Sequence, residues 1–587
     1  MTPESRILEH LTFLYGQQEA ECLWPWLEAR LADFRERYPH LREKAVPLPD
    51  RLSERDVILI TYGDQISEPG HLPLRTLAEF LEGHLHGIVS GVHVLPFFPF
   101  SSDDGFSVIN YRQVNPRLGT WSDVARLGQS FQLMFDAVIN HISRQSQWFQ
   151  AFLRGQSPYI DYFIVVEPET DLSMVVRPRA LPLLTPVETA SGQAHVWTTF
   201  SDDQIDLNYA NPQVLQEIVD LLLFYVAQGV GIIRLDAIAY LWKEIGTPCI
   251  HLPQTHRVVR SFRAVLDAVA PGVLLITETN VPHEENISYF GDLLPDTGGT
   301  DEAQLVYQFP LPPLVVHSIL SGSARAISRW AAGLEAPARQ SIFFNFTASH
   351  DGVGVMPARG LLSEAEVQAL VDATLAHGGR VSYKSNPDGS HTVYELNISF
   401  FDALSNPAAD EPLSVQVDRF IVSQAIMLAL AGVPGVYIHS LLGSRSWHEG
   451  VAQTGHNRAI NRQKLTLDLL QRELADPASL RHQVFSAYTC LLRARAAEPA
   501  FHPRGGQRVL FLGEGVFALL RTSPDGDNRV LCLHNVSASA QSLHIRLADL
   551  ELYPGAWHDL ITGRTHLASG GSLDVRLSPY AVSWLRS

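Results

Sequence analysis

The sequence predicts an α/β protein built on a (β/α)₈ barrel, and three observations carry that expectation. Eight short apolar runs alternate with helical patterns between residues 57 and 438. The two longest connections, about 143–211 and 352–412, follow the third and seventh runs, where a barrel places its active-site loops. After about residue 500 helical periodicity gives way to short strands separated by Gly, Pro, Asp and Asn.

Taken in order, Leu8, Leu11, Tyr15, Leu23, Trp26, Leu27 and Leu31 recur at helix spacing, so residues 1–55 read as a helical extension. Pro47 and Pro49 would end it. No chemistry shows there, and a packing or oligomer role is expected. The barrel strands are expected at Val57–Tyr62, Gly91–Pro96, Leu133–Ile139, Val230–Leu235, Val273–Thr277, Leu305–Phe309, Ile342–Phe346 and Val433–Ile438. Helices are expected between them, as at Thr76–His84, Asn211–Gln228 and His256–Ala270. The first part of the barrel would span 56–142, an inserted loop domain 143–211, and the second part 212–499, with the strand-7 insertion inside it at 352–412. Residues 500–587 would form a small all-β domain, with strands at Val509–Phe511, Val516–Leu520, Val530–His534, Ser542–Ile545, Leu573–Val575 and Val582–Leu585.

Composition narrows the function classes. A chain of 587 residues with 46% apolar and 18% charged residues is globular and too long for one ordinary core. Its net charge of −18 argues against a nucleic-acid partner. The four cysteines show no metal-knuckle or disulfide spacing, and no metal motif occurs. The longest apolar run, Ala425–Ile438, is broken by Gly432, Pro434 and Gly435 and reads as a core helix feeding a strand, not a membrane span. The N-terminus lacks an apolar signal core, so a cytoplasmic location is expected.

Chemistry concentrates where strands end. Strand 4 carries Arg234 and Asp236, two apart and therefore on one face of a buried strand. Alone, such a pair reads equally as a structural ion pair. Strand 3 ends in Asp136–His141, strand 5 in Thr277–Asn280 and strand 7 in Ala348–Asp351. On a barrel all four ends converge on one mouth. Three carboxylates there, Asp236, Glu278 and Asp351, suit glycosidic chemistry, which needs a nucleophile, an acid and stabilisation of an oxocarbenium-like transition state. Arg234 is expected to keep Asp236 ionised, and neighbouring carboxylates to raise the pKa of Glu278.

These segments resemble the signature regions of glycoside hydrolase family 13, the α-amylase family, and more narrowly its sucrose phosphorylase subfamily, from about residue 56 to the C-terminus. Leu95–Pro99 and Ser102–Phe106 match around strand 2. Asp136–His141, Gly231–Tyr240, Ile276–Glu278 and His350–Gly354 match the catalytic regions, and Val196–Phe200 and Asn457–Arg462 match as well. The resemblance implies Asp236 as nucleophile, Glu278 as acid/base and Asp351 as transition-state stabiliser. It implies an Asp103–Arg462 ion pair closing the glucose pocket, and Phe106 and Phe200 flanking the ring, positions that simple core packing would also explain. It implies His141, Arg234 and His350 as hydroxyl ligands and partners of the nucleophile, and Tyr240 on the acceptor side. The implied reaction is double displacement with retention, inorganic phosphate serving as co-substrate without a cofactor. Arg177-Pro-Arg179 resembles the loop that supplies an arginine to phosphate, although such a tripeptide is ordinarily a solvated turn.

Departures from sucrose phosphorylases fall on the acceptor side: Asn280 replaces a His, Tyr394-Glu395 replaces Tyr-Gln, and Thr279–Asn286 and Tyr437–Arg445 differ. They resemble the branch that acts on glucosylglycerate. Arg179, His283, Lys384, His439 and Arg445 are candidate cations for the glycerate carboxylate. Sucrose, sucrose 6′-phosphate and glucosylglycerol stay open as substrates. A plain α-glucoside hydrolase, an amylosucrase-like transferase and an inert transporter partner are the competing readings. The expected partners are a small glucoside and phosphate, with no nucleic acid and no membrane, and a homodimer is a further expectation.

Overall fold

The computed structural model describes residues 1–43, 51–178, 181–296, 298–336, 338, 340–386 and 390–587. The expected Pro47/Pro49 break lies outside them. Eight parallel strands close a barrel: β1 (Ile58–Thr61), β2 (Gly91–Val94), β3 (Gln132–Ala137), β4 (Val230–Leu235), β5 (Leu274–Thr277), β6 (Leu305–Tyr307), β7 (Ile342–Phe346) and β8 (Val433–Tyr437). β1 pairs with β8 through Ile58 and Gly435, which completes the ring. Gly435 has a packing reason. A Cβ there would meet the Phe344 ring at 2.4 Å. Nearly every residue of these strands is buried, as expected when a parallel sheet is covered on its outer face and filled within.

The N-terminal segment forms two helices, α1 (Pro3–Tyr15) and α2 (Gln17–Arg37). They lie against α3 (Pro253–Val269), the helix that follows β4. Arg6 is ion-paired with Asp267 of α3 at 2.6 Å, and the Tyr15 ring tilts against Trp242 at 6.3 Å.

The two long connections carry structure of their own. The one after β3 holds a helix, Gln147–Leu153, and a hairpin of Leu184–Thr189 with Gly192–Trp197. The one after β7 holds a helix, Glu364–Ala376, and a three-stranded sheet of Val353–Gly354, Arg380–Ser385 and His391–Asn397.

The C-terminal segment forms a six-stranded antiparallel sheet and a two-stranded one. In the strand Arg529–Asn535, Leu531 and Leu533 face a core shared with Trp557 and Leu573, whereas Val530 and Cys532 face the barrel's core. Period-two alternation thus buries both faces. Two strands absent from the sequence reading, Ala556–Asp559 and Thr565–Leu567, complete the larger sheet. Ala-Trp-His-Asp and Thr-His-Leu carry too few apolar residues to read as strands. The strand expected at Val509–Phe511 runs instead over Gly506–Leu510, and Phe511 is exposed. Among the described residues no helix is long and apolar enough to cross a membrane.

Candidate active site

The ends of the barrel strands open into one cavity. Its wall includes Asp103, Phe106, His141, Phe200, Asp236, Tyr240, Glu278, Asn280, His350, Asp351 and Tyr394. Strand ends that lie far apart in the sequence therefore meet at one place.

At the floor, Arg234 is the hub. Its Nη1 contacts Asp136 and reaches Oδ1 of Asp236 at 2.7 Å, and Nη2 stands 3.9 Å from Glu278. Asp136 is held from its other side by His93 at 2.6 Å. The guanidinium also lies over the Tyr307 and Phe106 rings, at 5.7 and 5.8 Å. A buried cation with this many acceptors is fixed in place. The chain turns sharply after Asp236. Ala237 takes a left-handed conformation (φ 50°), and its N–H donates to Oε2 of Glu278 at 3.0 Å. Strain in a non-glycine residue is tolerated here, beside the two carboxylates.

Burial dominates the carboxylate chemistry. Glu278 is pushed up to about 7, first by burial and then by Asp236 and Asp351, against the opposing pull of Arg234. Asp236 is also raised by burial, with Asp136 adding to it and Arg234 countering it. Arg234 therefore limits the rise without reversing it, and crowding by carboxylates is a smaller influence on Glu278 than burial. Both influences act in the direction expected from the sequence, and burial, which the sequence did not disclose, outweighs each.

The far wall is built by a short 3₁₀ segment, Asn457–Asn461. Arg462 follows it, donates from Nε to the His350 carbonyl at 2.9 Å, and pairs with Asp103 at 3.5 Å. Its shorter contact is to Asp104, at 2.7 Å, a partner the sequence reading missed. Asp103 and Asp104 both adopt positive φ (50° and 47°), a conformation Asp tolerates better than most residues. The His350 ring stacks on Phe106 at 4.7 Å, and burial with nearby Arg462 and Arg234 keeps its pKa well below the usual value. His141 donates from Nε2 to the Phe106 carbonyl at 2.9 Å. Phe200 sits against His141 and meets Tyr240 edge-on at 5.5 Å.

A buried lysine ties the insertion after β3 to this floor. Lys243 pairs with Asp206 at 2.6 Å and donates to Asn140 Oδ1 at 2.9 Å. Asp206 also accepts from the Thr199 backbone and hydroxyl at 2.8 and 2.7 Å, next to Phe200. Sequence reading missed both residues, since a lone Lys and Asp 37 positions apart carry no local pattern.

The acceptor side departs most from expectation. Asn280 and Tyr394 lie on the wall, and Asn280 Nδ2 approaches the Tyr394 hydroxyl at 3.4 Å. Glu395 does not line the cavity. It is 2% exposed, accepts from the Gly352 N–H at 2.9 Å and grips Arg458. Arg177 lies in an adjoining groove with Lys384, although its neighbour Pro178 reaches the wall. Arg179 lies outside the described residues. His439 is buried between Gln65 and Ser444, and burial with Arg481 and Lys464 pushes it down to about 3, so it is no cation. Arg445 is engaged by Asp402 at 2.8 Å and Gln416 at 2.7 Å. His283 packs beside Phe343, and burial lowers its pKa. The guanidinium that does line the cavity is Arg458, which pairs with Asp351 at 2.6 Å. It lay inside the Asn457–Arg462 motif without being singled out.

Comparison with known proteins agrees with this geometry. Residues 85–341 match the catalytic-domain model of α-amylase. The chain is 51% identical over 590 residues to the glucosylglycerate phosphorylase of Spirochaeta thermophila, covering 100% of this chain and 99% of the relative. It is 50% identical to the one from Allomeiothermus silvanus, covering 100% of this chain and 99% of the relative. The solved structure of sucrose 6F-phosphate phosphorylase from Thermoanaerobacter thermosaccharolyticum superposes with a TM-score of 0.71 at 24% identity, over 89% of this chain and 98% of that one. The chain belongs to the α-amylase family, glycoside hydrolase family 13, in the group whose named members are glucosylglycerate phosphorylases.

Proposed function

We propose that this protein is a retaining phosphorylase that transfers the α-glucosyl group of 2-O-α-glucosylglycerate to inorganic phosphate. The observation that carries the reading is the convergence of Asp236, Glu278 and Asp351 on one cavity, in a chain half identical to named glucosylglycerate phosphorylases from end to end. Asp236, fixed by Arg234, attacks C1 of the glucosyl ring on the face opposite the leaving oxygen. Glu278 gives its proton to the glyceryl oxygen as the C1–O bond breaks, and glycerate leaves. A β-glucosyl ester of Asp236 remains. A phosphate oxygen then attacks C1, its proton passes to Glu278, and the C1–O bond to Asp236 breaks. The product is α-glucose 1-phosphate. Two inversions give net retention.

Other residues serve this sequence of events. Burial raises the Glu278 pKa to about 7, so near neutrality it can both give and take a proton, which suits an acid in the first step and a base in the second. Asp351 stabilises the positive charge that develops at the ring. Phe106 and Phe200 flank the ring. Asp103 with Arg462 closes the end of the pocket, so that one terminal glucosyl unit fits. His141, Arg234 and His350 bind its hydroxyls and hold the nucleophile, and Tyr240, Asn280 and Tyr394 face the acceptor.

The test is a panel of α-glucosides incubated with and without phosphate. Glucosylglycerate is expected to yield glucose 1-phosphate, and only when phosphate is present. Efficient phosphorolysis of sucrose with glucosylglycerate ignored, or free glucose released regardless of phosphate, overturns the reading.

A further inference from the structure

The proposed reaction brings an anion into an acidic cavity twice, as a glycerate carboxylate and as phosphate. The wall carries the carboxylates of Asp103, Asp236, Glu278 and Asp351. Like charges at such distances repel strongly in a partly dehydrated space. Among the described residues on that wall, Arg458 is the one lysine or arginine.

Arg458 is held in an unusual way. Glu395 takes its Nε edge in a bidentate grip, from Nε at 3.1 Å and Nη2 at 2.7 Å. Nη1 meets Asp351 at 2.6 Å. The two hydrogen bonds to Glu395 use two of the five N–H groups of the guanidinium, Nη1 stands beside Asp351, and the side chain lines the cavity. Glu395 is itself anchored. It also accepts from the Gly352 N–H and from Asn397, whose side-chain oxygen accepts from Ser382 at 2.6 Å. The grip therefore comes from the hairpin after β7, whereas the arginine comes from the 3₁₀ segment after β8.

We infer that Arg458, presented by Glu395, is the group that recognises the anionic acceptor, taking phosphate in one direction and the glycerate carboxylate in the other. A guanidinium matches both planar carboxylate and phosphate oxygens with two parallel hydrogen bonds. Clamping its inner edge removes the freedom a long side chain would otherwise lose on binding. Arg458 contacts the acceptor, and Glu395 is a positioning residue that acts through it. The inference rests on the phosphorylase reading above.

The test separates the two half-reactions. α-Glucosyl fluoride loads Asp236 without any anionic acceptor, and fluoride release reports that step. Phosphate KM from the same donor, and glycerate KM in synthesis from glucose 1-phosphate, report acceptor capture. For Arg458→Met, both acceptor KM values are expected to rise about tenfold or more beyond any change in fluoride release, the loss of a charge-assisted pair. Arg458→Lys restores part of that loss. Glu395→Gln, which keeps an acceptor for the Gly352 N–H, raises phosphate KM more than it lowers kcat.

If fluoride release falls as far as phosphorolysis does, Arg458 serves Asp351 alone and the inference fails. It also fails if either KM in Arg458→Met rises less than tenfold relative to fluoride release. Failure of the parent reading looks different: the unaltered enzyme would then make no glucose 1-phosphate from any donor.

Discussion

The floor of the cavity and its rim are built on opposite plans. At the floor, Asp136, Arg234, Asp236 and His350 are buried on the ends of β3, β4 and β7, and short ion pairs lock Arg234 between its two aspartates. At the rim, Asn280, Tyr394 and Arg458 sit on three different connections: Asn280 approaches Tyr394, and Arg458 is held by Glu395 and Asp351. The floor is a property of the barrel, and the rim is a property of how long loops meet. A fold of this kind can hold its sugar chemistry fixed while its acceptor side varies.

The comparison is broken most severely at the proposed nucleophile. Asp236→Asn is expected to lower kcat on the order of 10⁴-fold or more, since residues acting as one unit fail together. Turnover of the purified variant with α-glucosyl fluoride checks this, because a rim defect would spare that donor. A variant that keeps even a tenth of normal turnover removes Asp236 from the role given to it.

Next in size is the join between floor and rim. Lys243→Met leaves Asp206 buried without its cation, which costs about 3–5 kcal/mol when one partner of a buried pair is removed. The measurement is denaturant unfolding of the variant beside the unaltered protein. A loss under about 1 kcal/mol would class this contact with exposed pairs.

A smaller effect follows from burial at the floor. The first step of the proposed mechanism needs Glu278 protonated, and its pKa is raised to about 7. Activity present below that value is lost as pH rises through it, by about tenfold per unit once the proton is gone. Asp236 must be ionised, and its pKa is raised as well, so the acid limb lies above the range of an ordinary aspartate. The kcat/KM for glucosylglycerate against pH should therefore be a bell whose alkaline limb falls near 7. Glu278→Gln should lose the alkaline limb, and a limb unchanged in that variant would belong to another group.

How much of this the sequence disclosed follows the same division. All eight barrel strands and the strand-end residues were legible, because a buried strand interrupted by Arg234 and Asp236 or closed by Glu278 breaks an apolar pattern locally. The partners of the rim were not legible. Glu395 and Arg458 are 63 positions apart, and nothing in either neighbourhood says that they touch. Asp104 was passed over for its neighbour Asp103, since two adjacent aspartates carry no local sign of which one Arg462 approaches more closely. Burial decided the charge of His439 and the pKa of Glu278, and burial is a sum over the whole fold.

The smallest expected effect sharpens the comparison at the rim itself. Asn280 approaches the Tyr394 hydroxyl at 3.4 Å, a long contact that an acceptor bridging the two side chains would tighten. Asn280→Ala removes one neutral hydrogen-bonding group, worth about 0.5–1.5 kcal/mol, or about two- to tenfold in KM for glucosylglycerate. Because the group lies beyond the reacting bond, fluoride release from α-glucosyl fluoride should move less than the KM does. Equal changes in the two would place Asn280 with the floor, acting through its neighbour Glu278 rather than on the acceptor.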